Sequence, residues 1–400
     1  MIAGASLEVV GVVLTALAIV ALVPACVLLV EVLAALVPAR RDDDALIAAP
    51  RPRVAVVVPA HDESGGIAAT VRAIRAQLGA ADRVLVVADN CSDATAEVAS
   101  ANGAEVVVRN DAERRGKGYA LDFGVRHLEP SPPDVVVIVD ADCELHAGSV
   151  DRLARLCART QRPAQALDLM RAPEGAGLKA RIAEFAWVVK NQVRPLGCLR
   201  LGLPCQLMGT GMAFPWPVLR DAPLASGHIV EDLRLGLDLA AVGSAPVFCP
   251  DALVTSQFPS HAQGVAEQRA RWEQGHVGVI VREAPRALWR SLVRSRPALA
   301  AMAVDVSVPP LALFVVLLAA QCLVDAALWA AGGSAVALVA SAMVVAATKL
   351  AWLGFGRRIV SLAELLGAPL YILAKLPIYA RFLRRGKREW VRARRDHRHD

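Results

Sequence analysis

Residues 9–30 form a run of 22 residues without a single charge. As a helix rising 1.5 Å per residue, such a run is about 33 Å long, enough to cross the roughly 30 Å hydrocarbon core of a bilayer. A cleaved secretory signal would have a shorter apolar stretch behind a basic segment. Here Glu8 precedes the run, and Arg40 and Arg41 follow it. An uncleaved membrane anchor is expected, with residues 1–50 as its unit.

A second apolar region, residues 306–356, carries only Asp325 and Lys349 as charges, with Gly332 and Gly333 near its middle. Its length suggests two spans joined by a short glycine turn, placed at 304–356, with Pro309 and Pro310 kinking the first. Residues 281–303 contain Arg282, Arg286, Arg290, Arg294 and Arg296. The stretch 285–297, with Trp289 and Leu292 among these arginines, is expected to lie at the membrane surface. Residues 359–383 are apolar but hold Glu364, Pro369, Lys375 and Pro377, which favours an interfacial helix over a span. Arginines on one side of each span place the middle of the chain in the cytoplasm and the N-terminus outside.

The chain is 55% hydrophobic and 20% charged, with a net charge of +6. Residues 381–400 hold nine Lys and Arg against three Asp and Glu, so they carry the whole excess. A neutral, apolar chain with a short basic tail excludes a disordered protein, a disulfide-stapled domain and a nucleic-acid-binding face. The tail reads as a contact for membrane lipids. No two of the eight cysteines have C-x-x-C spacing, so free thiols are expected.

Residues 51–280 alternate between apolar β-branched runs (54–58, 83–87, 105–108, 135–139) and helical spacing (66–77, 93–102, 117–127). Ser92 is the expected cap of the second helix. Continuous apolar strands between helices predict an α/β domain with a mainly parallel sheet, covered on both faces. Ligands of such sheets sit beyond the carboxyl ends of the strands.

Polar clusters fall at those ends. They are Pro59-Ala60-His61-Asp62-Glu63, Asp89-Asn90-Cys91-Ser92-Asp93, Arg114 to Gly118, and Asp140-Ala141-Asp142. In an extended strand end, Asp140 and Asp142 would point the same way, and a hard divalent cation would relieve their repulsion. Lys117 opens a helix after a glycine, a plausible phosphate contact. Glu231 and Asp232 begin an amphipathic helix, which suits its dipole or a general base. Trp272 sits among Gln268, Arg269 and Arg271 on a further helix, as a buried ring or a sugar platform. Trp187 and Trp216 read as core residues.

These clusters, in this order, resemble the membrane-embedded family-2 glycosyltransferases, the group of cellulose, chitin and hyaluronan synthases. The resemblance covers residues 50–280 and ends in Gln268-Arg269-Ala270-Arg271-Trp272. It implies a GT-A-type nucleotide-sugar-binding fold and an inverting enzyme using Mg²⁺ or Mn²⁺. Carried over, Asp140 and Asp142 would hold the metal, and Pro59, His61, Glu63, Asp89, Lys117 and Asp140 the nucleotide sugar. Asp232 would be the base, with Gln268, Arg271 and Trp272 in the catalytic site. Gly209-Thr210-Gly211, Glu231 and Trp272 would face the acceptor. The second motif has Ala88 where relatives often have Asp, and Val230 stands where they often have Thr. The implied partners are a nucleotide-sugar donor, a glycan or glycolipid acceptor, membrane lipids and other polysaccharide-export subunits. Transfer to polyprenyl phosphate is the nearest alternative, and a non-catalytic nucleotide-binding subunit a more distant one.

Overall fold

The computed structural model describes residues 2–38, 50–228, 230–258, 262–329 and 334–373, with side chains outside 2–8, 262–270 and 369–373. Arg40, Arg41, Gly332, Gly333, Lys375, Pro377 and the basic tail lie outside the described residues, as does the side chain of Gln268.

The sheet has eight strands: β1 (Val54–Ala60), β2 (Arg83–Asp89), β3 (Glu105–Arg109), β4 (Val135–Ile138), β5 (Glu144–Leu145), β6 (Ala164–Arg171), β7 (Met212–Pro215) and β8 (Val247–Gln257). Their order is β3-β2-β1-β4-β7-β6-β8-β5. β1 runs parallel to β2 and β4, and β2 to β3, while β7 runs antiparallel to β4 and β6. This reversal brings the entry to β7 beside the exit from β4, with Met212 opposite Ile138.

Alternate residues of the central strands feed two cores. Val54, Val56, Val58, Val84, Val86 and Val137 face the helices Ile67–Arg75 and Ser149–Thr160. Ala55, Val57, Leu85, Val87 and Ile138 face Lys117–Leu128 and pack with Phe214. Both faces are dry, which is why these strands read as uninterrupted apolar runs.

Ser92 is not a helix cap. The helix Thr95–Ala101 begins after Ala94, and Asp93 accepts from the Thr95 amide (3.0 Å) and hydroxyl. Ser92 instead gives its amide (2.5 Å) and hydroxyl (3.1 Å) to Asp62. The carboxylate of Asp93 is the stronger acceptor, so the helix starts two residues later than expected.

Two helical stretches, Val9–Ala35 and Val336–Gly356, are long and apolar enough to cross a membrane. A third candidate is bent by 72° between Pro297–Val306 and Leu311–Ala327. Pro310, lacking an amide hydrogen, stands just before the second piece. Val9–Ala35 and Val336–Ala351 pack along small residues, Ala18, Ala25, Ala337, Ala340 and Ala347, all fully buried.

The first of these stretches outlasts the charge-free run because Glu31 is buried and paired. Arg194 donates from Nε to Glu31 (2.7 Å) and from Nη2 to the carboxylate and carbonyl of Asp305. A Cβ on Gly197 would lie 2.0 Å from the Glu31 carbonyl oxygen, so the helix Arg194–Arg200 touches the first helix backbone to backbone.

Residues 285–297 are not a separate interfacial helix. They belong to the last turns of Ala262–Val293, which runs through Pro285, and to the turn before Pro297. A proline inside a helix is tolerated where its missing bond faces solvent or packing fixes the axis. Within 359–383, the described part is the helix Leu362–Leu373.

Candidate active site

The polar ends of β1 and β2 interlock. His61 Nδ1–H donates to the carbonyl of Asp89 (2.7 Å), Glu63 N–H to Thr95 Oγ1 (2.8 Å), and Ser64 N–H to Asp93 (3.0 Å). Burial works against the Asp93 carboxylate, but hydrogen bonds from Thr95 and Ser64 outweigh it and hold it down to about 2. Pro59 is the penultimate residue of β1, in register with Val87. His61, Glu63 and Asp93 thus shape the loop that any ligand beyond β1 would meet.

Asp89 is buried, and its partner was not foreseen. Arg109, at the end of β3 in register with Asp89, donates from Nη1 to its carboxylate at 2.6 Å. The other nitrogen, Nη2, reaches Asp111 (3.0 Å) and the Arg114 carbonyl (2.8 Å). The only signal in the sequence was a charge closing an apolar strand.

Beyond β4 the chain turns at once. Asp140 and Asp142 are not an extended strand end, because β4 stops at Ile138 and the amide of Cys143 donates back to the Asp140 carbonyl (3.1 Å). The turn still gathers the carboxylates: oxygens of Asp140 and Asp142 and the Cys143 sulfur lie within 4.8 Å of one another. The Cys143 thiol is pushed up by burial and by the two carboxylates, which keeps it protonated. Hard oxygen donors remain, suited to Mg²⁺ or Mn²⁺.

Lys117 and the entry to β7 close this end. Lys117 Nζ pairs with Asp140 and donates to the Gly209 carbonyl at 2.7 Å. Its ammonium is therefore tied to the carboxylate turn rather than standing in an open phosphate loop. The Thr210 hydroxyl accepts from the Asp140 amide (3.1 Å). Gly209 has φ +90°, and a Cβ there would lie 3.4 Å from Asp232 Oδ2 and 3.7 Å from Lys117 Nζ. Gly211, at φ +63°, is needed for a different reason from sugar contact. A Cβ would strike Ala166 and Val254, each at 2.8 Å.

Glu231 and Asp232 occupy the first turn of the helix Glu231–Ala241. Both retain some exposure yet lie deep among protein atoms. Burial raises both carboxyls, and for Glu231 the neighbouring Asp232 charge adds to it. Lys190, Lys117 and amides of the helix start pull Asp232 back down.

A second group of residues escaped sequence reasoning. Asp168 of β6 is 2% exposed, and burial pushes its carboxyl up to about 7 against the pull of Lys190. Asn191 Nδ2 donates to it at 2.9 Å. Lys190 and Asn191 lie on a single π-turn, Val189–Val193, following the helix Leu178–Val188. Trp216 is a core residue, while Trp187 is half-buried and lies 5.2 Å from the Trp272 ring, centroid to centroid. No periodicity marks a π-turn, and the Lys190-Asn191 pair looks like any polar step on a helix.

The structure thus brings Lys117, Asp140, Asp142, Gly209, Thr210, Glu231 and Asp232 to one cleft, with Trp272 on a neighbouring wall. His61, Glu63 and Asp89 form a separate group at the ends of β1 and β2. Arg271 precedes Trp272 on the helix Ala262–Val293. Among the described residues, five carboxylates (Asp140, Asp142, Asp168, Glu231, Asp232) face two ammonium groups, Lys117 and Lys190. So large an excess of negative charge in a half-buried cleft favours a bound cation.

Residues 50–275 match the family described as Glycosyltransferase like family 2. The chain belongs to that family. This glycosyltransferase is 39% identical over 100 residues to an uncharacterized glycosyltransferase of Mycobacterium tuberculosis, a match covering 25% of this chain and 41% of the relative. It is 34% identical over 94 residues to the low-salt glycan biosynthesis hexosyltransferase of Haloferax volcanii, covering 23% of this chain and 21% of that protein. The glycosyltransferase therefore spans less than half the length of the curated relatives it matches. In three dimensions it is similar to a mannosyltransferase from Pyrobaculum calidifontis solved with GDP-Man and Mn²⁺. The TM-score is 0.50 at 19% identity, covering 87% of this chain and 98% of the other. The glycosyltransferase has a GT-A-like fold with a mixed sheet.

Proposed function

We propose that this family-2 glycosyltransferase is an inverting, metal-dependent enzyme of the cellulose, chitin and hyaluronan synthase type. In this reading it moves a sugar from a nucleoside diphosphate sugar, most simply a UDP-sugar, to a hydroxyl of a cell-surface polysaccharide or glycolipid. The observation that carries the proposal is the convergence of Asp140, Asp142, Lys117 and Asp232 around Gly209.

Asp140 and Asp142 would hold Mg²⁺ or Mn²⁺, which neutralises the donor diphosphate and stabilises it as a leaving group. Thr210 holds the Asp140 backbone in place for that task. Asp89, its carboxylate fixed by Arg109, would read the ribose or a base edge. Asp232 accepts the proton of the acceptor hydroxyl. The acceptor oxygen then bonds to the anomeric carbon as its bond to the diphosphate breaks, and one displacement inverts that carbon. Lys117, anchored to Asp140 and Gly209, faces the charge that develops on the leaving group.

Helices able to cross a membrane on both sides of the catalytic region support an integral membrane enzyme, and the arginines beside the apolar runs favour a cytoplasmic position for this cleft. Membrane lipids and polysaccharide-export subunits are the partners that position suggests. Transfer to polyprenyl phosphate fits less well, because an anionic acceptor would enter a cleft already rich in carboxylates.

The test is purified enzyme incubated with Mn²⁺, a panel of nucleotide sugars and membrane lipids, with products read by mass spectrometry. The expected product is a glycoside on a sugar hydroxyl with inverted anomeric configuration. Polyprenyl-phosphate sugar as the sole product, or retention of configuration, would overturn the reading.

A further inference from the structure

The half-buried ring of Trp187 is held from three sides. Its Nε1–H donates to the Asp168 carbonyl at 3.1 Å. Phe258 meets it edge-on, with centroids 6.2 Å apart and planes at 85°. Trp272 lies against it at 5.2 Å, tilted by 48°. The chain then enters the π-turn Val189–Val193, a local form frequent at functional sites. This turn sets the Lys190 ammonium 5.5 Å from the centre of the Trp187 ring. It also buries Asn191 (1% exposed), whose amide nitrogen fixes Asp168 from the other side. The charge of Lys190 acts on Asp232 and Asp168 together. A pinned indole, a second indole and an ammonium thus form one wall, and its ammonium acts on the proposed base.

We propose that Trp187 and Lys190 are acceptor-positioning residues, and that the group they receive is a neutral pyranose stacked on the Trp187 ring. The C–H face of a sugar packs on an aromatic surface, and the ammonium donates to a hydroxyl or ring oxygen at its rim. Asp232 and Asp168 stand beside Lys190 and disfavour a further anion there, so this wall suits an uncharged sugar rather than a phosphate. The inference rests on the proposed role of Asp232, since the wall matters only if the acceptor hydroxyl is presented there.

The experiment uses the full chain in phospholipid nanodiscs, saturated with UDP and Mn²⁺. Octyl β-glucoside and octyl phosphate serve as probes, with binding read by calorimetry. Saturable binding of the glucoside by wild type is expected, without competition from octyl phosphate. Trp187→Ala should weaken it about tenfold, the equivalent of about 1.4 kcal/mol, and Trp187→Phe should restore most of the loss. Lys190→Met should weaken it as well, and UDP–Mn²⁺ affinity should hold in all three variants. Unchanged glucoside affinity in Trp187→Ala, competition by octyl phosphate, or absence of saturable binding would each overturn the proposal. So would loss of UDP–Mn²⁺ binding in Trp187→Phe and Lys190→Met, which would mark the wall as structural. Failure of wild type to bind UDP–Mn²⁺ would instead sink the donor-site reading on which the function rests.

Discussion

The guanidinium of Arg109 lies 2.6 Å from the carboxylate of Asp89, and both side chains are at least nine-tenths buried. This pair joins the ends of β2 and β3, and through Arg114 it also holds the loop that leads to Lys117. Removing one partner leaves the other charge buried and alone. Arg109→Ala should therefore cost about 3–5 kcal/mol in unfolding free energy. It should also weaken UDP binding, because Asp89 loses its anchor. Denaturant unfolding and calorimetry check both effects; a variant as stable as wild type would show that the pair contributes nothing.

Asp140→Asn and Asp142→Asn test the cation site directly. Each removes a charged oxygen ligand from a cluster within 4.8 Å. Mn²⁺-dependent nucleotide binding should fall sharply in both, while the melting temperature should hold in Asp142→Asn and drop in Asp140→Asn, which also takes the ion-pair partner from Lys117. Retained Mn²⁺ affinity in both variants would exclude this turn as the metal site.

Asp232→Asn should bind donor as wild type does yet lose about 10²–10⁴-fold in turnover, the usual contribution of a positioned general base. The pH profile carries a second signature. Burial raises the Asp232 carboxyl, so the base is protonated over a wider acid range than an ordinary aspartate. The acid limb of kcat/KM should lie above the ordinary aspartate value of 3.8, with activity falling as pH drops through it. Stopped assays across buffered pH values locate that limb.

Gly211→Ala probes the support beneath the cleft rather than its chemistry. The residue has φ +63°, and the added methyl meets Ala166 and Val254 at 2.8 Å. Overpacking of this kind costs about 1–3 kcal/mol. Because Thr210 next to it holds the Asp140 amide, Mn²⁺ affinity should drop along with stability.

His276 offers a prediction about acid. Burial, with the charge of Lys190, pushes its imidazole down from 6.5 to about 3, and its Nε2–H donates to the Val306 carbonyl at 3.0 Å. The folded form holds the ring neutral where the unfolded chain would protonate it. Its contribution to stability is thus complete above about pH 6.5 and lost progressively as pH falls toward 3. His276→Gln keeps a donor but cannot titrate, so its unfolding free energy should fall less steeply over that window.

The alternation of residues 54–139 was legible because β1, β2 and β4 are buried on both faces and the helices between them on one. Those patterns are local, and so are the positions of Asp89 at a strand end, Asp140 just beyond a strand and Asp232 at a helix start. Charge is a poorer guide. Glu31 ends the charge-free run, yet it lies inside an apolar helix because Arg194, 163 residues away, neutralises it.

What the sequence determined by itself was the order of elements, the apolar helices and the placing of carboxylates where a parallel sheet binds ligands. Only the tertiary structure decided which of these groups meet. The reversal of β7 carries Gly209 to Lys117, the π-turn brings the Lys190 charge to bear on Asp232, and the helix before it sets Trp187 against Trp272. The reason is physical. Hydrophobic periodicity is written residue by residue along the chain. An ion pair or a stacked ring depends on distances between segments far apart in sequence, and no local pattern records them.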